Sequence, residues 1–140
     1  MPIVGMKLDS ISGSREKTHM KGEVKINSSP RVISVKEITV PGMKKKVLEM
    51  GFDFLTKYDP SLGEIQIKGE LLYDSDSRAK ILSHWKKSKK LPREVDIEIL
   101  NHLFRHCLLR MANLAEMVQL PPPLRFPIVK PKEDQASYIG

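Results

Sequence analysis

Val4, Met6 and Leu8 alternate with small or polar neighbours, and Met20, Val24 and Ile26 repeat the alternation around Gly22. This period of two predicts half-buried antiparallel strands. Ser28-Ser29-Pro30 then predicts a turn by composition. Along 32–40, Ile33 and Val35 point to one side whereas Ile38 and Val40 point to the other, which places a bulge near Lys36-Glu37 before Pro41-Gly42 ends the strand. The clearest strand follows: Leu48, Met50, Phe52, Phe54 and Thr56 share one side, with Glu49, Gly51 and Asp53 opposite. A turn over 59–63 joins it to Ile65, Ile67, Gly69, Leu71 and Tyr73, so the two form a hairpin. Four or five antiparallel strands are expected before residue 75.

The period then changes to that of a helix. Ser77 can cap a short helix with Ile81, Leu82 and Trp85 on one side, and Pro92 restarts the chain. From about 93 to 119, Leu100, Leu103, Phe104, Cys107, Leu108, Met111, Leu114, Ala115 and Val118 recur at steps of three and four, uninterrupted by proline or glycine. A helix of that length measures about 40 Å, more than a small sheet needs as cover. Leu103, Cys107, Met111 and Leu114 are therefore the expected interface with a second subunit. Pro121, Pro122 and Pro123 stop the helix and impose an extended arm in which Leu124, Phe126 and Ile128 point one way. Such an arm either packs back on its own sheet or lines a groove for a partner. The expected organisation is one α+β domain over 4–129, an antiparallel sheet followed by a short crossover helix and a long amphipathic one, with a polar tail over 130–140.

Charge adds a second reading. Lysine and arginine number 24 against 17 acids, a net +7 that favours acidic partners. The cations gather in two places, Lys44-Lys45-Lys46 and Lys86, Lys87, Lys89 and Lys90 with Arg93. Such runs are usually solvated faces, but brought together they would grip phosphates. No apolar run approaches the ~20 residues of a membrane span, and the start at Met1 has no basic-then-apolar leader, so the expected compartment is the cytoplasm, with no membrane insertion. The lone Cys107 offers neither a disulfide nor a multi-cysteine zinc site.

Chemistry is otherwise thinly marked. His102 and His106 stand four apart, a spacing that can share a metal, but without a third ligand they read as polar-face residues. Arg105-His106-Cys107 places the thiol inside the apolar stripe, where burial keeps it neutral and inert. No phosphate-cradling glycine loop is present, and no serine or carboxylate pair recommends itself for hydrolysis. The expectation is a non-catalytic binding protein without a cofactor.

The order of elements, with SRAKILSHWKKSKKLP, then EILNHLFRHCLLRMANLAEMVQ, then LPPPLRFPIV, resembles the SecB family of export chaperones. Arg105 and Cys107 look like an arginine and a cysteine of that family's long helix. The resemblance implies a homo-oligomer, dimer or tetramer, whose apolar grooves hold unfolded or nascent polypeptide without ATP. Polypeptide contacts are then expected from Leu124, Phe126, Ile128 and Trp85. Two features depart from the family: this chain is basic where those chaperones are acidic, and the polar tail KPKEDQASYIG stands where they carry a final lid helix. The basic clusters keep RNA or the ribosome as the alternative partner.

Overall fold

The structure, a computed structural model, describes residues 2–16, 22–42 and 44–124. Four strands, β1 (Ile3–Arg15), β2 (Lys25–Thr39), β3 (Lys46–Asp59) and β4 (Gly63–Tyr73), precede two helices, α1 (Arg78–Ser88) and α2 (Arg93–Met117). The strands form one antiparallel sheet in the order β1-β4-β3-β2. The class is α+β, as the change of period near residue 75 implies.

The alternation in the central hairpin determines which face is covered. Leu48, Met50, Phe52, Phe54, Thr56 and Tyr58 of β3 lie on the same face as Ile65, Ile67, Leu71 and Tyr73 of β4, and all are essentially buried. Glycine is required at Gly69, because a Cβ there would overlap the Lys7 carbonyl oxygen and the Phe52 ring. The opposite face is polar, with Asp53 accepting from Gln66 at 2.9 Å and pairing with Arg31 at 3.5 Å, and Glu49 pairing with Lys36 at 3.1 Å.

The edge strands depart from the sequence reading. Ser28, Ser29 and Pro30 form no turn: they continue β2, opposite Thr56, Leu55 and Phe54. Proline cannot donate to a ladder, but β2 is an edge strand and its outer side has no ladder to break. The bulge in β2 falls at Ile33 rather than near Lys36-Glu37, because the register slips between Val32 and Ser34. That slip turns both Val32 and Val35 toward the core and leaves Ile33 51% exposed. A similar slip between Ile3 and Gly5 exposes Val4 and packs Ile3 inward with Met6 and Leu8. Met20 lies outside the described residues.

Ser77 occupies the cap position of α1 but makes no side-chain cap hydrogen bond. Ile81 and Trp85 face the core, and Lys89, in the left-handed region at φ 57°, closes the helix by donating its N–H to the Trp85 carbonyl at 2.7 Å. In α2 the buried positions Ile99, Leu103, Cys107, Met111 and Ala115 recur every four residues, so one i±4 ridge lies on the sheet. Glu98 near its start meets Tyr73 at the end of β4, and Leu120 beyond its end packs over Gly63 at the start of β4. The helix therefore runs antiparallel to β4. Among the described residues, no helix is long and apolar enough to cross a membrane.

Candidate polypeptide-binding surface

Three ridges of α2 remain once the buried one is placed. Glu98, His102, His106, Arg110 and Leu114 form one flank, and Leu114 lies over Gly13 of β1. The opposite flank, Leu100, Phe104 and Leu108, must then face the β2 side. There Phe104 and Phe54 form a T-shaped pair, with ring centroids 5.4 Å apart and planes at 87°. Phe54 is the register partner of Pro30. Beside it, Ile26, Ser28, Pro30 and Val32 of β2 are turned to the same sheet face as the core, yet are only half-buried. The result is an apolar trough, with Leu100, Phe104 and Leu108 as one wall and the inner side of β2 as its floor.

Beyond the trough, the outermost ridge of α2 shows Ile97, Leu109 and Met117 to solvent at 49%, 63% and 78%. Asn101, Arg105 and Asn113 separate them, so they are apolar points on a polar ridge. Isolated apolar side chains on a surface are ordinary; a continuous strip backed by an aromatic pair is a stronger sign of a binding face.

The site residues expected from sequence are distributed differently. Leu103, Cys107 and Met111 are completely buried against the chain's own sheet, and Leu114 is half-buried over β1. Leu103, Cys107 and Met111 therefore belong to the chain's own core, because the sheet is long enough to take up this part of the stripe. Burial pushes the Cys107 thiol above its ordinary range against the opposing pull of Arg110, so the thiol stays protonated. Trp85 is likewise a core residue, only 8% exposed. Leu124 is half-buried; Phe126, Ile128 and the tail over 130–140 lie outside the described residues.

The basic clusters do not converge. Lys46 and Arg78 share Glu37, at 3.7 and 3.6 Å, and Lys45 pairs with Asp74 at 2.6 Å, which fixes Lys45 and Lys46 beside the start of α1. Lys86, Lys87, Lys89 and Lys90 sit at its far end, where positive charge complements the helix dipole, and Arg93 follows at the start of α2. All five are exposed, and none pairs with a carboxylate among the described residues.

His102 and His106 stack with ring centroids 4.2 Å apart. Burial, then the neighbouring His106 and Arg105, hold His102 below the ordinary histidine range. No cluster of three or more potential metal ligands occurs among the described residues. A cavity of about 430 Å³ opens between the end of β4 and the first turns of both helices, where Lys80 and Arg93 face Glu94 and Glu98. Its mixed charges select no ligand.

Periodicity identified Leu100, Phe104 and Leu108 as apolar but not as a separate ridge. The sequence signal was present in their four-residue spacing, which runs parallel to that of Leu103, Cys107 and Met111. Only docking of α2 separated the two.

No protein-family model matches this chain, and no curated protein matches it. Among solved structures, the chain is similar to a SecB-like chaperone of Mycobacterium tuberculosis, solved in complex with a ChAD peptide from the HigA1 antitoxin. The two share 10% identity, with a TM-score of 0.49 over 92% of this chain and 91% of the other.

Proposed function

We propose that this chain is an ATP-independent polypeptide-binding protein that holds extended apolar segments of unfolded or nascent chains in the trough between α2 and β2. The observation that carries the reading is the Phe104 ridge: a continuous apolar wall facing a half-buried strand. A trough of this kind recognises side chains by apolar burial, which tolerates many sequences, as a holding activity requires. The decisive experiment measures suppression of aggregation of several unfolded clients by the whole protein and by Phe104→Asp. The wild type should suppress aggregation and the variant should not, at a temperature where circular dichroism shows both folded. A wild type inactive on every client removes the proposal.

A second reading rests on the far end of α1. Lys86, Lys87, Lys89, Lys90 and Arg93 present five exposed cations within a short span, none paired with a carboxylate among the described residues, a footprint that suits RNA phosphates. Titration with single-stranded RNA at low and physiological salt tests it, since phosphate binding weakens steeply with salt whereas apolar burial does not.

A further inference from the structure

Of the side chains that form the trough, Ser28 alone is polar. It lies between Ile26 and Pro30 on the inner side of β2, half-buried and opposite Thr56 of β3. The two hydroxyl oxygens are 2.9 Å apart, and Thr56, which has no solvent exposure, also donates to the Met111 sulfur of α2 at 3.2 Å. A chain of polar contacts thus runs from the floor of the trough, through the buried face of the sheet, to the buried ridge of the helix.

Each hydroxyl carries one hydrogen, and a thioether can only accept. Two arrangements follow. If Thr56 gives its hydrogen to Ser28, the Ser28 hydrogen turns out toward the trough. If Thr56 gives it to Met111, Thr56 accepts the hydrogen of Ser28, and both are used inside the protein. Water or a polar group above Ser28 suits either arrangement. An apolar side chain suits only the second, because the first would leave a buried donor without a partner.

We propose that the trough takes an apolar side chain directly over Ser28, and that Thr56 is the positioning residue that permits it, accepting the Ser28 hydrogen and passing its own to Met111. This inference rests on the trough of the proposed function and names its substrate class: an extended segment that is apolar above Ser28, with no polar group needed to meet the serine. For the core alone a threonine at position 56 is the worse choice. A valine there would have nearly the same shape and no buried hydroxyl to satisfy.

Two substitutions in the whole protein break the relay. Thr56→Val removes the middle hydroxyl, and Met111→Leu removes the last acceptor at similar volume. Circular dichroism verifies the fold, and fluorescence anisotropy measures binding of a labelled peptide with leucine at alternate positions and serine between them. Each variant should bind roughly five- to a hundredfold more weakly than the wild type, as expected for one buried donor without a partner. Adding Ser28→Ala to either should recover most of the lost affinity, because no hydrogen is then left to pair; a purely structural loss would persist in the double variant. Unchanged binding in both single variants, or weakening without recovery, overturns the relay and leaves the trough reading standing. So does a wild type that holds unfolded clients but not this peptide. A wild type that binds neither the peptide nor any unfolded client removes the trough reading and the relay with it.

Discussion

The Phe104 and Phe54 rings meet in a T-shaped pair at a centroid distance of 5.4 Å, and this contact joins the exposed wall of the trough to the buried face of the sheet. Phe54 is fully buried whereas Phe104 is 36% exposed, so one aromatic pair spans core and surface. Phe104→Ala should cost roughly 1–2 kcal/mol, less than the about 3–5 of a fully buried ring, because the pair interaction is lost without opening a closed cavity. Urea denaturation measures it.

Leu103→Ala should be far more damaging, at about 2–5 kcal/mol, since its side chain has no solvent exposure and its loss leaves a cavity in the core. Ile97→Lys with Leu109→Lys, on the outer ridge, should leave the denaturation midpoint within about 0.5 kcal/mol of wild type. If the protein self-associates through that ridge, sedimentation will show the double lysine variant dissociated. Leu103→Ala should instead change stability and leave the association constant of the folded protein alone.

Replacing Lys86, Lys87, Lys89 and Lys90 by glutamine tests the phosphate reading. On a plot of log affinity against log salt, each phosphate contact to a single strand contributes a slope of about −0.7. The variant should therefore show a flatter slope for RNA with unaltered client binding. Lys45→Gln should move the RNA slope little, because Asp74 already holds that ammonium at 2.6 Å.

His102 gives the stability a pH dependence of known sign. Its folded-state affinity for a proton is depressed by burial, His106 and Arg105, so the unfolded chain binds that proton more tightly. Stability should thus fall as pH drops through the ordinary histidine range near 6.5, and be unaffected by His102 above it. In His102→Gln the loss between pH 7 and 5.5 should shrink. A thermal-melt series across that interval checks the sign.

The alternation in β3 and β4 was legible in the sequence because a central strand repeats one local rule at every second residue. Leu48 to Thr56 and Ile65 to Tyr73 obey it without interruption. The long period-of-four run of α2 was equally plain, since side chains four apart share a face whatever the helix packs against. The class, the element order and the hairpin follow from those local periods. Edge strands obey no such rule. Ser28-Ser29-Pro30 has the composition of a turn, yet β3 supplies a ladder on one side and solvent accepts the other, so pairing overrides local preference. The bulge at Ile33 belongs to the register between two strands and has no signature in either alone. The same holds for the surface. Helical spacing declared Leu103, Phe104, Cys107 and Leu108 all apolar, but only the docking of α2 on the sheet decided that Leu103 and Cys107 are core while Phe104 and Leu108 form a wall. A helix period specifies which residues point together; what they point at depends on contacts between elements far apart in the chain.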